Sequence, residues 1–376
     1  MAHEQSLAMD VAIVGGGVIG LACAYEVAAA GYSAVVLEKR SRLGEGQSTR
    51  NSQVLHRGIY YQPGSLKARL CIAGWRQLTQ RLPTWGVTHR ICGKLIVAVT
   101  DEQLPVLDRL AQTGRTNGAD DLRLIDAAEA KKREPHVNAK AALLSPTTSI
   151  FDAAEYLQSL ASHAQSAGAL LLTNAQVVAV DRDGAELTVQ TKTKGALGAR
   201  MLVNAAGLYS DDVARLCGDE RHVIHPCRGE YAVVIPAKAR LINALVYPVP
   251  AAVSLGVHLT KTAHNELWVG PTSRFIDNKE NYEWARMRPH DFFASTHTLC
   301  PALRAGDLRL GQTGIRAKRV GPGETEADYF IQSQDDDPRI LHLVGIESPG
   351  LTASPAIGCL VRDWIEETLG RRRSGN

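Results

Sequence analysis

The sequence predicts an α/β chain in which a parallel-sheet domain is interrupted by a second, α+β domain built on an antiparallel sheet, and three observations predict it. Within residues 11–38 an apolar run passes through a glycine-rich turn into a helix and back to a second apolar run. The middle of the chain holds short apolar stretches separated by turns. The C-terminal part returns to a buried strand and a long helix.

Val11-Ala12-Ile13-Val14 is a short buried strand, Gly15-Gly16-Gly17-Val18-Ile19-Gly20 follows at once, and Leu21 to Ala30 is helical until Gly31 closes it. A second strand, Ala34 to Leu37, ends in Glu38. Strand, G-x-G-x-x-G turn, helix, strand and acid stand in register, which is the Rossmann-like fingerprint of dinucleotide binding. Gly15 permits the tight turn, Gly17 leaves no Cβ between backbone and pyrophosphate, and Gly20 lets the helix lie close to the strand. The helix start, with Val18 and Ile19, presents free amides to phosphate, and Glu38 accepts hydrogen bonds from an adenosine ribose. The unit alone does not separate FAD from NAD.

Further along, Phe151 to Ala167 reads as a helix, Leu170 to Val180 and Leu187 to Thr191 as strands joined by Asp181-Arg182-Asp183-Gly184, and Arg200 to Asn204 as a strand ending at Ala205-Ala206-Gly207. By contrast Leu95 to Val99, Tyr231 to Ile235, Leu245 to Pro248, Val257 to Thr260 and Leu267 to Val269 are short strands between turns. The expected division is a discontinuous nucleotide domain over 1–84, 152–220 and 306–376, with a substrate domain over 85–151 and 221–305. Ile340 to Val344 is the last strand. A small-residue loop from Gly345 to Ser354 leads to a helix from Pro355 to about Leu369, with Ser354 as N-cap and Pro355 at the first helical position. Free amides at such a loop stabilise the negative charge of a reduced flavin.

Composition narrows the function. A net charge of +3, from 42 Lys and Arg against 39 Asp and Glu, is too balanced for a nucleic-acid footprint. The basic runs Lys131-Lys132-Arg133 and Arg371-Arg372-Arg373 read as a solvated face and a polar tail, the latter leaving room for peripheral membrane contact. Seven cysteines, widely spaced and without a C-x-x-C pair, hold no metal site and read as reduced thiols, which suits a cytoplasmic protein. No apolar segment is long enough to span a membrane, and the first ten residues carry Glu4 and Asp10 without Lys or Arg, unlike an export signal.

Several motifs together resemble the FAD-dependent L-2-hydroxyglutarate dehydrogenases and oxidases, within the D-amino-acid-oxidase-like superfamily. They are Val11 to Glu38, Ser48-Thr49-Arg50-Asn51-Ser52 leading to His56-Arg57-Gly58-Ile59-Tyr60-Tyr61, Pro63 to Cys71, and Arg228-Gly229-Glu230-Tyr231. Tyr247-Pro248-Val249-Pro250, Leu255-Gly256-Val257-His258, Trp268-Val269-Gly270-Pro271 and Gly314-Ile315-Arg316-Ala317 extend the resemblance over nearly the whole chain. It implies non-covalently bound FAD and oxidation of a hydroxyl or amine next to a carboxylate. It also implies cofactor roles for Gly15, Gly17, Val18, Ile19, Glu38 and Lys39, for Ser48, Thr49, Arg50, Asn51 and Ser52, and for Val177, Ala206 and Gly207. Gly314 and the run Glu347, Ser348, Pro349, Gly350, Leu351, Thr352 are placed at the flavin. One departure is Arg57, where the family pattern often has a small residue between His and Gly.

Chemistry picks out the remaining candidates. Hydride leaves the Cα of a 2-hydroxy acid only if the hydroxyl proton is removed, and imidazole suits that task, so His56 is the first candidate base and His258 the second. Arg316 offers the planar fork that orients a carboxylate, Tyr247 a hydroxyl donor for the same group, and Arg57 with Tyr60 the rest of the substrate side. An amino-acid oxidase of the same superfamily and a non-catalytic FAD-binding sensor stay open as alternatives. The electron acceptor, a quinone or a flavoprotein among the options, leaves no motif.

Overall fold

The computed structural model describes residues 9–250, 256–324 and 327–371; Glu4, Leu255 and Arg372-Arg373 lie outside the described residues. The chain forms two compact units, one from Met1–Thr49, Ala153–His225 and Ala317–Asn376, the other from Arg50–Asp152 and Pro226–Arg316. The division differs from the expected one by a few residues at 152 and 221–225 and by longer segments at 50–84 and 306–316. Both segments join the second unit because their strands pair there: Val54–Leu55 lies antiparallel to Ser149–Phe151, and Leu308–Lys318 lies beside His225–Val234.

The first unit is an eight-stranded sheet. Its centre is parallel: Leu170–Leu172, Ala34–Leu37, Met9–Val14, Gly195–Asn204 and Ile340–Val344 follow one another across it. Met9–Val14 and Ala34–Leu37 are apolar at nearly every position and buried throughout, as strands covered on both faces must be. Helices Val18–Ala29, Ala153–Ser166 and Gly350–Leu369 pack together, and a Cβ on Gly358 would stand 2.6 Å from the Ala22 carbonyl oxygen, so the helix crossing depends on that glycine.

Two local expectations need correction. Leu170 to Val180 is not one strand: Leu170–Leu172 pairs with Ala34–Leu37, whereas Val177–Asp181 pairs with Leu187–Thr191 after Asn174 turns at φ +52°. The C-terminal helix begins at Gly350, not Pro355, and Ser354 is not its cap. Proline is tolerated there because the Ser354 hydroxyl donates to the Leu351 carbonyl at 2.9 Å, the acceptor that the missing proline N–H would have served.

The second unit carries a nine-stranded sheet in the order Arg274–Phe275, His225–Val234, Leu267–Gly270, His258–Lys261, Leu245–Pro248, Lys94–Ala98, Ala141–Ser145 and Arg123–Asp126, with Leu308–Lys318 on His225–Val234. One junction departs from the expected antiparallel sheet: Leu245–Pro248 runs parallel to Lys94–Ala98. Alternation then sorts the side chains. Leu95, Val97, Val246, Leu259 and Val269 fill one apolar cluster, while Ile96, Leu245 and Tyr247 face another that includes Ile59 and Ile150. Among the described residues no helix is long and apolar enough to cross a membrane.

Candidate cofactor cradle and candidate active site

In the first unit the glycine turn has the tightness that its spacing predicts. Gly15 adopts φ +111°, where a Cβ would also meet the Ala205 carbonyl oxygen at 2.5 Å, and a Cβ on Gly20 would collide with the Gly15 carbonyl oxygen. Gly17 is different: a Cβ there would meet only Ser48 Oγ, at 3.0 Å. Ser48 is buried, and its Oγ accepts from the Val18 amide at 2.9 Å at the start of the helix. Glu38 is also buried; one carboxylate oxygen accepts from the Gly16 amide and the other from the Arg40 amide, each at 2.8 Å. The acid thus braces the glycine turn, and each oxygen keeps a second lone pair for a ribose hydroxyl. These residues fit an FAD: a strand-to-helix turn stripped of Cβ atoms, helix amides for the pyrophosphate, and a fixed acceptor for the ribose.

The other cofactor candidates of this unit lie in defined places. Lys39 Nζ is 3.1 Å from the Tyr209 ring centre. Thr49 Oγ1 donates to the Gly44 carbonyl at 2.9 Å. Val177 is buried at the start of its strand, and Ala206-Gly207 forms the turn after Asn204, Gly207 at φ +58°. Ile19 lies in the first turn of its helix and is half-buried. In the C-terminal loop Glu347 meets Lys318 Nζ at 3.3 Å, its carbonyl accepts from the Tyr329 hydroxyl at 3.0 Å, Ser348 is exposed, and Pro349 precedes the helix that opens with Gly350, Leu351 and Thr352.

The second unit gathers the titratable candidates on one face of its sheet. Tyr247 and His258 stack with ring centres 3.5 Å apart and planes 14° from parallel. They sit opposite each other because Val246 pairs with Leu259 in the antiparallel ladder. His56 stands under the charge of both His258 and Lys94, and burial together with these neighbours holds its imidazole well below the usual histidine value, so it is neutral at neutral pH. Burial, with Tyr247 near Tyr60 and Tyr231 near Tyr247, pushes the Tyr60 and Tyr247 phenols up, so both remain protonated donors.

Arg316 lies farther along the same face. Both of its terminal nitrogens donate to the Thr272 carbonyl at 3.2 Å, and they approach the position that a Cβ on Gly229 would fill to 3.0 and 3.1 Å. Tyr231, on the next residue pair of that strand, feels the Arg316 charge and shares a 2.6 Å hydrogen bond with Ser52 Oγ. Arg50 packs its guanidinium 4.7 Å from the Tyr282 ring centre, and the Asn51 carbonyl accepts from Gln312 Nε2 at 2.8 Å. Gly314 owes its bare backbone to Arg50, whose carbonyl oxygen a Cβ would strike.

Arg57 does not join the cluster. Its guanidinium lies 3.6 Å from the Trp75 ring centre and donates from Nη2 to Asp121 at 2.9 Å. Adjacent side chains in an extended segment diverge, so His56 and Arg57 take different neighbours.

Lys94 was missed in the sequence. It is 1% exposed, with Nζ 4.2 Å from the Tyr247 ring centre and 5.5 Å from that of Tyr60. As the first residue of an apolar strand it reads like a solvated strand end. Only pairing of Lys94 with Leu245, which sets it on the Tyr247 face, betrays its position.

Comparison with known proteins follows the same lines. The family described as FAD dependent oxidoreductase matches residues 10–364. The chain is 33% identical to the mitochondrial L-2-hydroxyglutarate dehydrogenase of Arabidopsis thaliana, covering 93% of this chain and 82% of that one. It is 33% identical to the protein of the same name from Homo sapiens, over 95% and 89% of the two. Among solved structures, the dithionite-reduced L-alpha-glycerophosphate oxidase of Mycoplasma pneumoniae with FAD bound superposes with a TM-score of 0.86 at 29% identity, over 96% and 94%. Glycine oxidase from Geobacillus kaustophilus shares the fold, with a TM-score of 0.82 at 23% identity over 96% and 95%.

Proposed function

Because the chain belongs to the FAD-dependent oxidoreductase family, and within it with the L-2-hydroxyglutarate dehydrogenases, we propose that it oxidises a small 2-hydroxy acid of the L-2-hydroxyglutarate kind to the 2-oxo acid. The observation that carries the reading is the basic cluster on one sheet face of the second unit: a neutral His56 beside Lys94 and His258, with Arg316 on the same face. FAD, held by Gly15, Gly17, Glu38 and Ser48 and without a covalent bond to the chain, supplies the acceptor for the hydride that leaves the substrate Cα. His56 takes the hydroxyl proton, for which a neutral imidazole is ready at physiological pH. Arg316 orients the 1-carboxylate through its fork, and Tyr247, protonated, donates to substrate oxygen. His258 keeps the Tyr247 ring in place by stacking.

A five-carbon 2-hydroxy dicarboxylate agrees with a sheet face that carries both the buried Lys94 ammonium and the Arg316 guanidinium. All seven cysteines are free thiols, which supports a reducing compartment such as the cytoplasm. The test is anaerobic: L-2-hydroxyglutarate should bleach the flavin band of the purified protein and yield 2-oxoglutarate, whereas glutamate and glycine should not. Bleaching by an amino acid alone would overturn the reading in favour of an amino-acid oxidase.

A further inference from the structure

Lys94 is a buried ammonium in an environment that supplies no counter-ion. Among the described residues, the groups found to act on it are the thiols of Cys71 and Cys92, the imidazole of His56 and the rings of Tyr60 and Tyr247, none of them a carboxylate. Burial lowers its pKa to about 8, so most of it is charged at neutral pH. Aromatic faces offset only part of the cost of desolvating a cation. Beside it the Tyr60 hydroxyl is buried and meets no hydrogen-bond partner. A phenol kept protonated by burial is a donor, and an ammonium offers three more donors. The two donor groups belong to one cluster, with Lys94 Nζ 5.5 Å from the Tyr60 ring centre.

We propose that Lys94 and the Tyr60 hydroxyl together receive the second anionic group of the substrate, the carboxylate remote from the hydroxyl, and that they set the preference for dicarboxylates over monocarboxylates. The inference rests on the reading of the chain as a 2-hydroxy-acid oxidising enzyme and adds the residues that choose the acid. It replaces Arg57, whose charge Asp121 already takes up. Lys261 is no rival, because its Nζ donates to the Ala239 carbonyl at 2.8 Å and the Asn265 carbonyl at 3.0 Å.

Binding of unreactive acids to the FAD-loaded protein tests this without turnover. Glutarate and butyrate are titrated against the flavin spectrum and by calorimetry in the wild type and in Lys94→Met, Lys94→Arg and Tyr60→Phe. The expected result is that wild type prefers glutarate, that Lys94→Met weakens glutarate roughly 10- to 100-fold with butyrate changed less than about threefold, and that Lys94→Arg recovers part of the loss. Tyr60→Phe should weaken glutarate by a smaller factor in the same selective way. Equal losses for both acids, no loss, or no glutarate preference in the wild type would overturn the proposal. Oxidation of L-2-hydroxyglutarate by the wild type is scored separately: its failure would refute the proposed reaction, and the binding ratios would still decide the role of Lys94. If Lys94→Met fails to fold, Tyr60→Phe and Lys94→Arg carry the test.

Discussion

His56 and Arg57 are neighbours in the chain and serve different structures: His56 shares the sheet-face cluster with Lys94 and His258, while Arg57 lies flat on Trp75 and pairs with Asp121 at 2.9 Å. Against partial burial, a Thr147 hydrogen bond and then the hydrogen bond and charge of Arg57 hold the Asp121 carboxyl below its usual range. Arg57 is therefore a fold residue.

Arg57→Met should accordingly cost stability and leave substrate choice alone. It removes a charged hydrogen bond to Asp121, worth about 1.5–3 kcal/mol, but also two buried nitrogens, Nε and Nη1, that meet no partner. The net loss expected in urea unfolding is therefore below that range, about 1 kcal/mol. The ratio of kcat/KM for dicarboxylic over monocarboxylic 2-hydroxy acids should not move; a selective loss for dicarboxylates would return Arg57 to the site.

Glu38→Ala should weaken FAD retention and, in addition, destabilise the protein stripped of FAD. The carboxylate accepts from the buried Gly16 amide at 2.8 Å whether or not a ribose is present. Leaving that amide without a partner costs about 1–3 kcal/mol. Thermal melts of apoprotein and holoprotein check this. An apoprotein melting like wild type would confine Glu38 to the cofactor.

How much of this was legible in the sequence depends on range. The β-α-β unit was readable because its determinants are local: Gly15 must turn, Gly20 must let the helix down, and Ala34–Leu37 must be apolar on both faces. The start of the C-terminal helix was not, because Pro355 normally marks a first turn and only the Ser354 hydroxyl on Leu351 lets the helix run through it. His56 and Arg316 could be chosen by chemistry, since few residues remove protons or clasp carboxylates. Lys94 could not, since nothing in Cys92-Gly93-Lys94-Leu95 says that a strand from residues 245–248 will cover it. Arg57 misled for the converse reason: its partner, Asp121, is distant in sequence.

His56→Ala should lower the rate constant for anaerobic flavin reduction by roughly 10²- to 10⁴-fold with little change in half-saturating substrate, because a base acts mainly in the transition state. The pH profile gives an independent sign. Burial, Lys94 and His258 all lower the His56 pKa, so the reactive neutral form persists through neutrality and the limb of kcat/KM that His56 sets lies on the acid side, as pH drops through a value well under 6.5. Near-normal reduction by the variant would shift the base to His258.

Lys94 should give the same enzyme an alkaline limb. Of the titratable groups at the cluster, His56 is already neutral above its lowered pKa, the Tyr60 and Tyr247 phenols are pushed up, and burial lifts the thiols of Cys71 to about 12 and Cys92 to about 11. Lys94 alone among these, at about 8, loses charge between neutrality and pH 10. Its loss removes the cation facing the remote carboxylate, so kcat/KM for a 2-hydroxy dicarboxylate should decline above about pH 8, with a monocarboxylate unaffected there. Stability runs the opposite way. The pKa of Lys94 is lower in the folded chain than in the unfolded one, where it is near 10.5, so between about 8 and 10.5 the unfolded state binds more protons and folding strengthens as pH rises. Lys94→Met should then raise the melting temperature below pH 8, abolish the dicarboxylate limb, and lose the stabilisation that glutarate confers on wild type. A limb that persists in Lys94→Met would assign it to another group.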